Sequence, residues 1–146
     1  MSKRDSFSGF WSSPIEDIID GLEKHTDIFH DIVLGEVEPS NLEYPTAHVL
    51  PDTSNYQGDQ TYQDVIRINF YFEKGRNDDK HYLESLKSVE SAIDDALLEL
   101  YKDEAVGNHK VGRVENYRGE MANTLLEIVG VDIRISKLFN YSPDRS

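Results

Sequence analysis

In DVIRINFYFEK, residues 64–74, apolar and polar positions alternate. Ile66, Ile68, Phe70 and Phe72 share one parity, and Arg67, Asn69 and Tyr71 share the other. A period of two sends these sets to opposite faces of a β-strand, with the apolar set towards a core. Upstream, SSPIEDIIDGLEKHTDIF carries a helical pattern instead. Ile15, Ile18, Ile19 and Leu22 recur on one face, with Ser13 as N-cap, Pro14 in the first helical position and Glu16 completing a capping box. Gly21 weakens the helical signal, and the helix is expected to end near residues 24–26.

The pattern predicts four further elements. A short strand is expected over Ile32–Val37, closed by Pro39, and a second in YPTAHVLPD, bracketed by Pro45 and Pro51. A long helix is expected to start at Asp78 and Asp79. Its apolar stripe is Leu83, Leu86, Val89, Ile93, Leu97 and Leu100, widened by Leu98 and Tyr101, and its solvated face holds Glu84, Lys87, Glu90, Asp94 and Asp95. At 1.5 Å per residue such a helix is roughly 35 Å long, enough to cross a small sheet. A closing hairpin follows, with arms Val111–Tyr117 and Thr124–Ser136. Leu126 and Ile128 have one parity and Val131, Ile133 and Ile135 the other, so a bulge at Gly130 is expected to restore one buried face.

Between the strands at residues 46–50 and 66–72 lies the polar run Thr53–Asp64, read as a loop or a long hairpin arm. The aromatic residues Phe7, Phe10 and Trp11 precede the first helix, and Phe139 and Tyr141 follow the last strand. Three aromatics in a segment too short to bury them suggest an arm that docks on the body or on a neighbour. Strands in succession with gathered helices give an α+β fold: an antiparallel sheet packed by an N-terminal helix and one long helix. A single domain over residues 1–146 is expected, with an aromatic arm at 1–12 and a tail at 139–146.

Composition narrows the function. There is no Cys, which removes disulfides, thiolate metal sites and cysteine nucleophiles. No apolar run approaches the roughly 18 residues of a membrane span, and the N-terminus lacks the apolar centre of a signal peptide. With 28 acidic and 15 basic residues the formal net charge is −13, which disfavours nucleic-acid binding through a basic patch. The acidity has three readings: ordinary cytosolic acidity, a basic partner, or adaptation to high salt.

No pattern for chemistry stands out. His25, His30, His48, His81 and His109 lack paired metal-ligand spacing and read as surface or hydrogen-bonded side chains. DTSNYQGDQ has the outline of a calcium loop without its alternating acids or closing Glu. Asp78/Asp79 and Asp94/Asp95 fall on a helix start and a solvated helix face, poor settings for an acid/base pair. No GxSxG, phosphate-loop or dinucleotide motif is present, so no catalytic, cofactor or metal residue is assigned and no enzyme activity is expected.

Taken in order, the capped helix, EYPTAHVLPD, QDVIRINFYFEKGRN, LESLKSVESAIDDALLEL and the pair VGRVENYRG…LLEIVGVDIRIS resemble the tail-terminator or tail-completion proteins of long-tailed viruses. The likeness covers about residues 13–138 and rests on architecture, since that family has no catalytic motif. It implies a six-membered homo-oligomeric ring in the virion, assembled in the host cytoplasm. That ring caps the tail tube protein, joins a head-completion or neck protein, and lets DNA through its lumen without specific binding. The acidity would suit a haloarchaeal virus.

On that reading Asp52, Asn55, Tyr56, Gln57, Asp59, Gln60 and Tyr62 would meet a neighbour, and Phe7, Phe10, Trp11, Phe139 and Tyr141 would dock across subunits. These roles come from the residues, not from the family. The alternatives are another neck or head-completion protein, a small acidic adaptor whose binding weakens with salt, or a hydrolase with a site assembled in space.

Overall fold

The computed structural model describes residues 12–38, 41–58, 61–73, 79–103, 106 and 108–138. Helix α1 spans Ser12–Leu22 and runs into a 3-10 turn, Glu23–His25. Strand β1 is Asp31–Leu34, β2 is Thr46–Gly58 and β3 is Thr61–Glu73. Helix α2 spans Asp79–Lys102, and strands β4 (His109–Met121) and β5 (Thr124–Leu138) close the chain. The five strands form one sheet in the order β1-β2-β3-β5-β4. All neighbours are antiparallel except β1 and β2, which run parallel, so the α+β reading stands with one parallel edge pair.

Both helices cover one face of the sheet. The alternation in β3 buries Ile66, Ile68, Phe70 and Phe72 beneath them, beside Ala47 and Val49 of β2 and Val129, Val131, Ile133 and Ile135 of β5. Helix α1 adds Ile15, Ile18 and Leu22; α2 adds Val89, Ala92, Ile93, Ala96 and Leu100. Phe29, fully buried, stacks at a tilt on Phe70 with ring centroids 5.2 Å apart. Each such side chain contributes about 1.5–3 kcal/mol on leaving water, so this layer dominates the stability.

Gly21 lies inside α1 because the two helices touch there. A Cβ at Gly21 would come within 2.5 Å of the Ala96 backbone. The small residues Ala92 and Ala96 are therefore central to the helix contact, which a search for large apolar side chains overlooks. Leu83, expected in the core stripe, is 51% exposed, and Leu98 and Tyr101 are exposed as well. At 100° per residue these three fall on the arc of Lys87, Glu90 and Asp94, opposite the buried one. Asp95 departs from the expected solvated face: its carboxylate lies 2.6 Å from His25 Nε2.

Several boundaries also shift. Helix α1 starts at Ser12, and the Ser13 hydroxyl donates to Asp103 Oδ2 at 2.8 Å. Strand β1 ends at Leu34, before Gly35 with φ +74°. Pro51 sits within β2, past the last β1 pair at Val49 and so on an edge stretch as proline requires, beside a register shift between Pro51 and Thr53. His109 opens β4 and is not in a loop. The turn between β4 and β5 is made by Ala122 and Asn123, both with positive φ, a two-residue hairpin geometry that follows the twist of the strands. The expected features at Phe7, Phe10, Trp11, Pro39, Asp78, Asp59, Gln60, Phe139 and Tyr141 lie outside the described residues.

Gly130 is not a bulge. The β3–β5 register runs unbroken through Asn69 and Gly130, and the irregularity falls in β4, between Val111 and Arg113. The change of parity along β5 reflects two buried faces. Val129 and Val131 point to the helices, while Leu126 and Ile128 join Tyr71 on the opposite face, covered by Leu42, Tyr44 and Met121. Leu42 and Tyr44 come from the segment linking β1 to β2, which therefore covers one end of the helix-free face.

Candidate interaction surfaces

The polar run after Leu50 forms a hairpin and not a loop. Strand pairing continues from Thr53↔Val65 through Tyr56↔Tyr62 to Gly58↔Thr61, while Pro51, Asp52, Thr53 and Asn55 become exposed. Its base is anchored: the Ser54 hydroxyl donates to Asp64 Oδ1 at 2.6 Å, and Asp64 is fully buried. Of the residues expected at an interface, Asp52 and Asn55 are thus exposed on a continuous strand. The backbones of Tyr56, Gln57 and Tyr62 belong to the same hairpin.

On the helix-free face a charged group crosses three strands. Arg67 of β3 donates to Glu115 of β4 at 2.9 Å and to Asp132 of β5 at 3.2 Å, and its Nε donates to Asn69 at 3.2 Å. Burial opposes the guanidinium charge, but the Glu115 hydrogen bond and the charges of Asp132 and Glu115 outweigh it, holding the Arg67 pKa above its usual value. Gly130 makes room: a Cβ there would lie 2.2 Å from the Arg67 guanidinium. Sequence periodicity marks Arg67 as facing away from the helices but cannot pair it with residues 48 and 65 positions later.

His48 is buried on this face between Tyr71 and the Gly35 carbonyl. The Gly35 carbonyl can only accept, so Nε2 donates to it, and Nδ1 shares a hydrogen bond of 2.9 Å with the Tyr71 hydroxyl. His25 pairs with Asp95. These two histidines are thus hydrogen-bonded parts of the fold. Among the described residues, no group of three or more His, Asp or Glu side chains is placed to hold a metal ion.

Two other features were not foreseen. A shallow cleft of about 310 Å³ opens between α2 and the ends of β2 and β3, lined by Ile28, Tyr44, Pro45, Phe72, Glu73 and Glu84 with two serines. At the other end of α2, Asp17 and Asp103 meet as two carboxyl groups. Burial, the hydrogen bond with Asp103 and the nearby charges of Asp103, Asp20 and Glu99 push the Asp17 pKa up to about 7.

No described helix is long and apolar enough to cross a membrane. No protein-family model matches the chain, and no curated protein sequence matches it.

Proposed function

We propose that this chain is a structural protein of a long-tailed virion, one subunit of a six-membered ring that caps the tail tube and joins it to the neck. The observation that supports this reading most is the β2–β3 hairpin, whose strands stay paired along a polar run while Asp52, Thr53 and Asn55 of β2 are exposed. A paired hairpin anchored through Ser54 and Asp64 presents Asp52, Thr53 and Asn55 to a neighbour. Such a surface fits assembly better than substrate binding. The order of elements, with helices on one face of a five-stranded sheet, agrees with the resemblance noted above.

In this ring the subunits carry no catalytic chemistry. The net charge of −13 keeps DNA moving, since a negative lumen repels the phosphate backbone. Electron microscopy of virions carrying a tagged copy tests the placement: density for the tag is expected at the head-proximal end of the tail. A tag found in the capsid shell, along the tail shaft or absent from virions would refute it.

A further inference from the structure

The two ends of α1 are fastened to α2 in different ways. At the C-terminal end Gly21 packs against the Ala96 backbone, and just beyond it Lys24 pairs with Glu99 at 2.8 Å and His25 with Asp95 at 2.6 Å. At the N-terminal end two polar side chains of α1 converge on Asp103, the residue that follows α2. The Ser13 hydroxyl donates to Asp103 Oδ2 at 2.8 Å, and Asp17, one helical turn further on, hydrogen-bonds with the same carboxyl group. Asp103 is itself held in place: its amide donates to the Leu100 carbonyl and its carbonyl accepts from the Val106 amide, both at 3.1 Å.

Two carboxyl groups hydrogen-bond with each other only while one of them carries a proton. The setting of Asp17 favours keeping it. Its Oδ2 is shut off from water without a hydrogen-bond partner, a poor place for a full negative charge. The charges that bear most on Asp17 are acids: Asp103 and Glu99 from the α2 side and Asp20 from α1 itself. Lys24 and Lys102 are engaged by Glu99, at 2.8 and 3.1 Å.

We infer that Ser13, Asp17 and Asp103 form a proton-operated clasp, closed in acid, that holds the first turn of α1 on α2 and lets it open as the pH rises to neutral. Opening puts the Asp17 carboxyl in water, where it ionises in the ordinary range, so at mildly acid pH only the closed state holds the shared proton. In the closed state Asp17 keeps that proton up to about pH 7, against an ordinary value of 3.8. The open fraction therefore climbs between about pH 4 and pH 7, by at most about tenfold per pH unit. Above pH 7 it levels off, because the closed state has lost the proton too. Ile15 and Ile18, buried in the core, return the turn to its seat, so opening is a local and reversible event. This clasp does not depend on the ring reading.

Hydrogen–deuterium exchange of the full-length chain, followed by mass spectrometry from pH 5 to pH 8 and corrected for the chemical exchange rate, tests the clasp. Opening in peptides covering residues 13–20 should rise at least about tenfold from pH 5 to pH 7, then change about twofold or less to pH 8. Asp17→Asn, whose amide donates to Asp103 at any pH, should hold opening constant to within about twofold. Ser13→Ala should raise opening at every pH and leave its pH dependence unaltered. Peptides covering residues 66–72 of β3 should exchange more slowly than those of α1 throughout, since β3 opens only with the whole molecule. Should Asp17→Asn fail to fold by circular dichroism, Asp103→Asn takes its place with the same expectation.

Opening that does not change with pH in the unmodified chain would overturn the assignment, as would a rise that persists unchanged in the folded Asn variant. Opening of α1 and β3 in step would overturn it as well, since pH would then act on the whole fold and not on this contact.

Discussion

Arg67 is the residue on which the helix-free face depends most. Its guanidinium neutralises Asp132, which is 8% exposed, so removing it leaves a buried carboxylate without its counter-charge. Arg67→Ala is expected to lower stability by about 3 kcal/mol or more, read by urea denaturation. Gly130→Ala should act on the same group by displacing Arg67, so combining it with Arg67→Ala should cost little beyond Arg67→Ala alone. Full additivity of the two losses would contradict this coupling.

Asp17 gives a pH signature of the opposite sign to most acids. Its folded pKa of about 7 lies above the ordinary 3.8, so the folded state holds a proton that the unfolded state has released between those values. The contribution of Asp17 is therefore most favourable below about pH 4, declines as pH rises to 7, and is constant above. At about 1.4 kcal/mol per pKa unit the ceiling is roughly 4 kcal/mol, and the partial exposure of Asp17 to water lowers it. Asp17→Asn should match the native chain at pH 4 and exceed it in melting temperature at pH 8. Equal pH profiles for the two proteins would refute this assignment.

Among the elements, β3 was the most legible from sequence, because its period-two pattern has one physical explanation: one face on a core. The buried face of α1 was legible for the same reason at a period of 3.6. Strand β5 was ambiguous, since apolar residues on both parities fit either a bulge or two buried faces. The second reading needs the cover supplied by Leu42 and Tyr44, from a segment with no periodic signal. In α2, Val89, Ile93 and Leu100 of the large apolar stripe are buried and Leu83 is not, while the close contact with Gly21 needs the alanines, which a pattern of large side chains does not mark. Gly21→Ala would raise helix propensity yet should lower stability by about 1–3 kcal/mol, because the added methyl meets backbone.

The β2–β3 hairpin has an anchored base at Ser54 and Asp64 and continues as paired strands to Gly58 and Thr61. Shortening it between Asn55 and Gln63, which retains the Ser54–Asp64 hydrogen bond, should leave the cooperative thermal transition in place and impair assembly. Virions made with this variant are expected to have abnormal tail completion. Normal tails and infectivity would show that the hairpin has no part in assembly.

At the scale of the whole molecule, composition signalled acidity but not its distribution. Net charge is a sum, and it conceals that Glu16, Asp20, Glu84, Glu90 and Asp94 stand exposed on the helices while Glu115, Asp132 and Glu127 of the sheet are ion-paired. The exposure of Asp52 and Asn55 was readable from polarity alone. The exposure of Val114, Tyr117 and Leu98 was not, because it depends on which strand lies at the edge and which helix face turns outward.

Native mass spectrometry of the purified chain with and without tube ends tests whether it forms the proposed closed ring on the tail tube. One discrete species of six copies is expected, present alone or formed when tube ends are added. A chain that remains monomeric under both conditions and leaves tube ends unbound would contradict it.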